Sequence, residues 1–409
     1  MLPITVHGVT TNKTGFIDKA NETLFLARLS NENAPYVVKA VTPVDTNFQL
    51  VTFSKILYNG SYSKPVTLSN SSANSWYPIT TSSGDNVYVF WGAVIELPNG
   101  DYYYQLHYAV SNDAGKTFVK DIDLSNTNEP ADRPAIAAVD NKVFVAWEER
   151  SSGIYKILLR YSGDSGRTFS SIIPISDSTL DCRDPAIAYA QGHLFVAWTE
   201  TGNYTSAIKY RELDYQERNG TFSIAHTGNI GLLSAGNDVS DNPQIAITKD
   251  GRNIYSAWSA AIPQYFEGHR LNLLKQKMPS PQIDFRSSND GGYTWNSIKG
   301  VSTTPQQFGA FTLGVNGDAV HVIWYAYVSM STPGQASFYT HSRDGGQTFT
   351  RPYAVNPGPL GASELMLVSG STVYISWDNG VTATRAFVVS YDDGDTFTNL
   401  LKDQTSPHA

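Results

Sequence analysis

The hydrophobic pattern of the chain repeats a short apolar segment that ends in tryptophan. In each copy, large apolar residues alternate with smaller or polar ones, which is the period of two expected for a half-buried β-strand. A second strand opened by proline precedes several copies, for example at residues 134–137, 185–188 and 243–246. The tryptophans that end the segments are Trp91, Trp147, Trp198, Trp258, Trp324 and Trp377. Their nearly even spacing predicts a repeat architecture.

A polar motif, Ser-x-Asp-x-Gly-x-Thr-aromatic, follows these strands and recurs five times. The copies begin at Ser111, Ser162, Ser288, Ser342 and Ser390. The glycine suits the positive φ of a tight turn, and the aspartate can accept N–H groups that the turn leaves unpaired. The closing aromatic residue is predicted to lie buried between neighbouring sheets. We interpret the motif, named here the Asp-Gly turn, as a structural hairpin, because a calcium loop needs more oxygen ligands.

Each repeat predicts four antiparallel strands, labelled A to D, with the Asp-Gly turn between C and D. This is the organisation of one blade of a β-propeller. Residues 76–401 supply six such blades, in one of which the turn motif has decayed and Tyr215 replaces its serine. Residues 22–72 predict a further blade, with strands at 23–29, 36–41, 48–54 and 64–68 around an Asn59-Gly60 turn. We therefore expect a single all-β domain over residues 1–409, with seven blades favoured over six.

The composition of the chain limits which classes of function it can have. The 409 residues are 41% hydrophobic, enough for a large core, and their net charge of −8 without a basic run argues against nucleic acid as a partner. No stretch approaches the ~20 apolar residues that span a bilayer. Six Asn-x-Ser/Thr sequons favour an extracellular or cell-surface location: Asn12, Asn21, Asn59, Asn70, Asn203 and Asn219. The single cysteine, Cys182, allows no intramolecular disulfide.

The Asp-Gly turn and the tryptophan strand before it resemble the Asp-box, or BNR-repeat, propellers of the sialidase-like superfamily, over about residues 76–400. The resemblance implies a propeller fold, with members that include glycosidases, sugar-binding ectodomains and non-catalytic assembly factors. True sialidases carry a Phe/Tyr-Arg-Ile-Pro motif and an arginine triad. Their propellers have six blades. This chain has no Arg-Ile-Pro and no arginine between Arg28 and Arg133, so it departs from that pattern.

Candidate site residues follow from the propeller topology, which places the starts of the A strands and the ends of the B strands on one face. Charged side chains gather at these positions although they form only 16% of the chain. Carboxylates and a tyrosine are the candidate acid, base or nucleophile: Asp132, Asp184, Glu149, Glu200 and Tyr325. Arginines, further acids and aromatic residues are candidate ligand-binding groups: Arg133, Arg150, Arg183, Asp241, Asp378, Trp76, Tyr77 and Arg270.

Two functions remain open from the sequence. The first is a glycoside hydrolase that uses these carboxylates on a glycan, with Tyr325 and Glu200 as a nucleophile pair by analogy with sialidases. The second is a non-catalytic propeller that binds a glycan or a protein partner, in which Arg133 and Asp184 only tie adjacent blades together. The sequence shows no metal-site spacing and no cofactor motif, so neither is expected.

Overall fold

The structure, a computed structural model, describes residues 23–28, 35–42, 48–55, 63–70, 73–202, 205–236, 239–261, 282–302, 308–327, 335–357, 365–379 and 384–399. Their regular structure is entirely β. The strands are β1 Thr23–Arg28, β2 Pro35–Val41, β3 Leu50–Lys55, β4 Val66–Thr67, β5 Ser75–Ser83, β6 Asn86–Glu96, β7 Tyr102–Ser111, β8 Val119–Asp123, β9 Ala131–Val139, β10 Lys142–Ser151, β11 Ile154–Ser162, β12 Ile173–Pro174, β13 Asp181–Ala190, β14 His193–Thr201, β15 Ser206–Arg218, β16 Thr221–Leu232, β17 Val239–Ile247, β18 Ile254–Ala261, β19 Gln282–Ser288, β20 Lys299–Gly300, β21 Phe308–Asn316, β22 Ala319–Tyr327, β23 Gln335–Ser342, β24 Tyr353–Pro357, β25 Leu365–Ser369, β26 Thr372–Asn379, β27 Thr384–Ser390 and β28 Thr398–Asn399. No helix in these ranges could cross a membrane.

The strands fall in chain order into consecutive antiparallel groups of four, named group 1 (β1–β4) to group 7 (β25–β28). Groups 4 and 5 join into one eight-stranded sheet through a single parallel bridge between Ser206 and Val239. The first strand of each group contacts the first strand of the next, from β1 to β25. The fold is therefore the expected β-propeller of four-stranded blades. Closure between groups 7 and 1, and with it the seven-bladed count, stays a prediction.

The core lies between adjacent groups. Five of the tryptophans that end the B strands are 0–1% exposed: Trp91, Trp147, Trp198, Trp258 and Trp324. Trp147 packs with Val89 and Val110 of the preceding group. Consecutive residues of a B strand are buried, as in β10, because groups 2 to 6 each lie between two neighbouring groups.

The Asp-Gly turns have the geometry that their residues predict, and all five copies share it. In the last copy, Ser390 Oγ accepts the N–H of Gly394 at 2.7 Å and donates to Asp392 at 2.7 Å. The Asp392 carboxylate also accepts the N–H of Thr396 at 2.9 Å and its hydroxyl at 2.6 Å. These hydrogen bonds from Thr396 and Ser390 lower the pKa of Asp392 to about 2. The carboxylate is therefore a structural acceptor.

Each turn also fastens its group to the preceding one. The closing aromatic residue packs against an aromatic residue on the third strand of that preceding group, as Phe349 does against Phe285 with ring centroids 5.1 Å apart. In this copy the turn glycine lies directly over the same ring. Gly346 has φ 78°, and a Cβ added there would overlap Phe285. Glycine is therefore required twice, for the backbone conformation and for the approach to the neighbouring blade.

Gly346→Ala is expected to lower the free energy of unfolding by about 3 kcal/mol, because it combines a strained positive φ with overpacking against a buried ring. Gly153→Ala is the matched control: Gly153 has φ 84°, but nothing lies within 4 Å of an added Cβ. The Gly153→Ala substitution is expected to lower the free energy of unfolding by about 1 kcal/mol. Urea denaturation of both variants measures the difference. Equal losses would show that the turn does not press on its neighbour.

Group 4, which carries the decayed copy, replaces the Asp-Gly turn with a plain β-hairpin. Asn219 and Gly220 both have positive φ, 53° and 74°, as a two-residue hairpin turn of this type requires. β15 and β16 then run paired for most of their length. Phe222 still packs on Tyr161 of the preceding group at 5.6 Å, so the aromatic contact persists without the aspartate.

Candidate functional site

An unusual backbone conformation recurs where the A strands begin. Tyr77, Arg133, Asp184 and Asn242 have φ of 51°, 52°, 54° and 54°, and each immediately precedes a proline. All four lie where the pairing of strands A and B shifts register. Non-glycine residues with positive φ are uncommon and persist only where surrounding contacts hold them. These β-bulges therefore place one side chain per blade at the same end of four successive blades.

The aspartate before the bulge holds the backbone in two of these blades. The Arg133 N–H donates to Asp132 Oδ1 at 2.7 Å, and the Asn242 N–H donates to Asp241 Oδ1 at 2.7 Å. The Asp-Gly turns hydrogen-bond instead to the A–B hairpins at the other end of each blade, as Gly345 N–H does to Asp318 O at 3.0 Å. The candidate residues and the turns thus lie at opposite ends, as the sequence predicts.

A buried glutamate organises the centre of the site. In β13 the residue before the bulge is Arg183, whose side chain has no oxygen that could accept the next N–H. The Asp184 N–H therefore donates across the blade boundary to Glu148 Oε2 at 2.9 Å. Glu148 is 1% exposed, and its other oxygen lies 3.5 Å from Arg133 Nε and 3.7 Å from Arg183 Nη1. Arg133 Nη1 also donates to Asp184. Two arginines and two carboxylates from two adjacent blades form one network.

Asp241 of the next blade extends this network. It lies within hydrogen-bonding reach of Asp184, and its Oδ1 accepts the Thr199 hydroxyl at 3.2 Å. Desolvation and the nearby charge of Asp184 together raise the pKa of Asp241. Asp241 itself is exposed to solvent. The pair can therefore hold a proton where a ligand could reach it.

Asp241→Asn is expected to raise the free energy of unfolding at neutral pH. Because the folded state raises the pKa of Asp241, its stabilising contribution is complete below the unfolded pKa and is lost as pH rises through the folded pKa. The asparagine variant avoids that loss, so its advantage should grow with pH. Urea denaturation between pH 4 and pH 8 measures it.

Asp392→Asn is the matched control with the opposite sign. Since the pKa of Asp392 is lowered to about 2, its contribution is present at neutral pH and is lost as pH falls through that value. This variant should be less stable than wild type at pH 7. The interpretation of the Asp184–Asp241 pair would be wrong if both substitutions shifted stability in the same direction.

Two arginines flank one tyrosine beside this network. The Arg183 guanidinium carbon lies 3.5 Å from the centre of the Tyr155 ring, and that of Arg150 lies 6.0 Å from it. Arg150 is exposed and Arg183 is half-buried. Stacked guanidinium groups keep their N–H donors directed outward, where they can form paired hydrogen bonds to a carboxylate or sulfate.

An aromatic surface adjoins the network on the side of group 2. Tyr77 is 46% exposed and Tyr102 is 62% exposed, and both rings lie about 6 Å from Tyr104 in edge-to-face contacts. Trp76 lies 6.3 Å from Tyr77. Desolvation, Tyr102, Tyr77 and the charge of Asp132 raise the pKa of Tyr104 to about 12, so it stays a neutral phenol. Exposed rings next to hydrogen-bonding groups are suited to sugar faces.

Other predicted residues lie apart from the network. Glu149 points toward the preceding blade, where its Oε2 accepts the Trp147 indole N–H at 3.2 Å and the Thr127 hydroxyl at 3.1 Å. Desolvation raises the pKa of Glu149. Glu200 lies 3.7 Å from Lys209 Nζ of its own blade.

The remaining predictions concern later blades. Tyr325 is 4% exposed in β22, two groups beyond Glu200, and their pairing as a nucleophile stays a prediction. Asp378 lies in β26, opposite Arg385. Arg270 lies outside the described residues.

Four residues of the site had no predicted role: Glu148, Thr199, Tyr104 and Tyr155. Glu148 and Thr199 each directly follow the tryptophan of a B strand, at the end that the sequence places on the candidate face, and each contacts the bulge of the next blade. Their position therefore indicated the face but not these contacts. The two tyrosines belong to C strands, which carry no motif, so only the fold brings them to this face.

A cleft of about 820 Å³ lies at the opposite end of the molecule. The A–B hairpins of groups 5 to 7 and the Asp-Gly turns of groups 5 and 6 line it, including Asp250, Arg252, Asp318 and Asp344. None of the network residues borders this cleft. It is therefore a second opening, separate from the candidate site.

Comparison with known proteins identifies the fold more clearly than the chemistry. No family model and no curated protein matches the chain. Among solved structures, the polysaccharide lyase Uly1 is 11% identical with a TM-score of 0.57, over 92% of this chain and 89% of that one. A protein of unknown function from Dyadobacter fermentans is 13% identical with a TM-score of 0.48, over 83% and 96%. A Trypanosoma rangeli sialidase mutant is 12% identical with a TM-score of 0.43, over 80% and 56%.

The match to the lyase shows a shared fold and nothing finer, because the identity is so low. The chain spans 56% of the length of the sialidase structure. The site residues therefore have to be argued from their own geometry.

Proposed function

We propose that the face formed by groups 2 to 5 binds an acidic glycan and cleaves it by hydrolysis. The observation that carries the proposal is the Arg133–Asp184–Asp241 network, in which the exposed Asp241 has a raised pKa and lies beside Asp184, the ion-pair partner of Arg133. A proton donor beside a cationic anchor is what cleavage of a glycosidic bond in an acidic sugar requires. The fold shared with a polysaccharide lyase is consistent with a polymeric substrate.

The arginines and aromatic residues bind the sugar in this proposal. Arg183 and Arg150, both beside the Tyr155 ring, bind a carboxylate or sulfate of the substrate, while Tyr77 and Tyr102 stack on neighbouring sugar rings. Arg133 has a different role, because Asp184 and Glu148 already neutralise much of its charge. It holds Asp184 in an ion pair, and the charge of Asp184 raises the pKa of Asp241.

The carboxyl groups have different roles in the proposed reaction. Protonated Asp241 gives its proton to the glycosidic oxygen as the bond from the anomeric carbon to that oxygen breaks. Asp184 is too close to Asp241 to act on the other side of the bond, since hydrolases place the two carboxyl groups ~5 Å or more apart. Asp132, beyond Arg133, is the candidate base that takes a proton from the water attacking the anomeric carbon.

A panel of polysaccharides tests the proposal directly. Uronate-containing, sulfated, sialylated and neutral glycans are each incubated with the protein, and both reducing ends and unsaturated products are measured. We expect new reducing ends without unsaturation from an acidic glycan, and none from a neutral one. Unsaturated sugars would instead show elimination and refute hydrolysis.

A second function, binding without cleavage, has one specific observation in its favour. Asp184 is only 9% exposed and its carboxylate is held by Arg133, as expected for a tie between blades. Glycan binding with no product from any member of the panel would support this second function and rule out the first. If this face binds a protein partner instead, we expect neither glycan binding nor a cleavage product.

The proposal includes a secreted or cell-surface location. Of the six sequons, Asn70 and Asn219 lie within the described residues, and both are exposed. Either asparagine could therefore carry a glycan without disturbing the core. Native protein recovered from inside the cell without glycosylation would contradict this location.

A further inference from the structure

Group 4 contains a cluster of metal-ligating side chains that the candidate site does not use. Its fourth strand, β16, has 12 residues, whereas the fourth strands of the other groups have 2 to 5. The long strand forms where the Asp-Gly turn has been lost. It brings His226 opposite Asp214 of β15, which is itself opposite His193 of β14. Glu212 lies two residues before Asp214 and therefore on the same face of the sheet.

Three of these side chains converge, and His226 lies beside one of them. His193 Nδ1 lies 2.9 Å from Glu212 Oε1 and 2.8 Å from Asp214 Oδ1, and His226 Nδ1 lies 3.5 Å from Asp214 Oδ2. Ligand atoms of His193, Glu212 and Asp214 all lie within 4.8 Å of one another. One imidazole between two carboxylates, with a second imidazole at the edge, gives two nitrogen and two oxygen donors.

The backbone around the cluster is irregular in a way that serves these side chains. The pairing of β15 with β16 shifts register twice, between Arg211 and Leu213 and again between Asp214 and Tyr215. The two β-bulges therefore bracket Glu212 and Asp214. β-Bulges redirect side chains and are common beside functional sites.

Electrostatics give a second reason to expect a cation. Glu212 and Asp214 bring two carboxylates together, and no Lys or Arg nitrogen is found within salt-bridge distance of either in the described part of the chain. A bound cation would relieve the repulsion between these two carboxylates.

We propose that His193, Glu212, Asp214 and His226 bind a divalent transition-metal ion, such as Zn²⁺. Mixed imidazole and carboxylate donors suit zinc and its neighbours in the first transition series, whereas calcium and magnesium favour oxygen ligands alone. His193 lies next to the A–B hairpin, so the ion would lie at the end of the blade away from Asp184 and Asp241. It would tie β14, β15 and β16 together where the Asp-Gly turn is missing. This site is independent of the proposed glycan chemistry.

Titration of metal-stripped protein with ZnCl₂, followed by calorimetry, tests the proposal. We expect one Zn²⁺ per chain and a higher melting temperature in the presence of the ion, because a ligand that binds only the folded state stabilises it. His193→Ala and Asp214→Asn should each weaken binding by at least tenfold. His226→Ala, at an exposed position, should weaken binding without disturbing the fold.

His107→Ala is the matched control, because His107 Nδ1 also lies 2.8 Å from a carboxylate, that of Asp121, but is part of no such cluster in the described residues. This variant should bind Zn²⁺ as the wild type does. The proposal would be overturned by a wild-type protein that takes up no stoichiometric zinc. It would equally be overturned if the His193, Asp214 and His226 variants all retained wild-type affinity.

Discussion

Asp241→Asn is expected to lower kcat for glycan cleavage by about 10²- to 10⁴-fold, the usual contribution of a general acid. The substitution keeps the size of the side chain and its acceptor for the Asn242 N–H, but removes the proton that the leaving oxygen needs. The same variant is expected to be more stable at neutral pH. Loss of activity together with a gain in stability is typical of a catalytic group held under electrostatic strain.

Steady-state kinetics on the best substrate of the panel measure this effect, with calorimetric binding of an oligosaccharide beside them. Binding should change little, because the arginines and tyrosines that contact the sugar are intact. Asp250→Asn, at the opposite end of the molecule, is the control and should retain full activity. An Asp241→Asn enzyme with undiminished kcat would remove Asp241 from the mechanism.

Glu148→Ala is expected to lower the free energy of unfolding by about 2 to 3 kcal/mol. Glu148 is 1% exposed and accepts the Asp184 N–H while facing Arg133 and Arg183. Its removal leaves a buried N–H donor without a partner, whereas the two arginines, 43% and 35% exposed, lose their shared carboxylate but stay open to water.

Two companion variants separate the contributions of Glu148. Glu148→Gln keeps an oxygen for the Asp184 N–H and should lose about half as much stability, since only the charge is removed. Glu217→Ala is the surface control: its carboxylate is 56% exposed and lies 3.6 Å from Lys142, so less than 1 kcal/mol is expected. Chemical denaturation measures the free energy of unfolding of the three variants and so ranks their losses. If Glu148→Ala cost no more than Glu217→Ala, the buried network would not organise the site.

The sequence was most informative where local chemistry determines local structure. The Ser390, Asp392 and Gly394 positions form their turn by short-range hydrogen bonds, so the motif predicts the hairpin directly. The repeated apolar strands that end in tryptophan predict the blades, because each of them forms one buried B strand. Even the first group, which has no motif, has strands within a few residues of the predicted ones, as β2 Pro35–Val41 shows.

The site was predicted less completely, because its geometry depends on contacts between blades. Asp184 and Arg133 were both identified, but nothing in the sequence indicates that Glu148 rather than Glu149 faces them. Adjacent residues of a strand point to opposite sides, and the register that decides which side shifts at the bulge between Ala146 and Glu148. His193, Glu212, Asp214 and His226 show the same limit: their sequence spacing resembles no metal site, and three strands are needed to bring them together.

The central claim is that an acidic glycan binds at the bulge end of groups 2 to 5. A crystal structure of Asp241→Asn with an acidic oligosaccharide tests it most directly. The account predicts a sugar carboxylate or sulfate within hydrogen-bonding distance of Arg183 or Arg150, and a glycosidic oxygen beside residue 241. A sugar bound in the cleft between Asp250 and Asp318, with the bulge end empty, would contradict it.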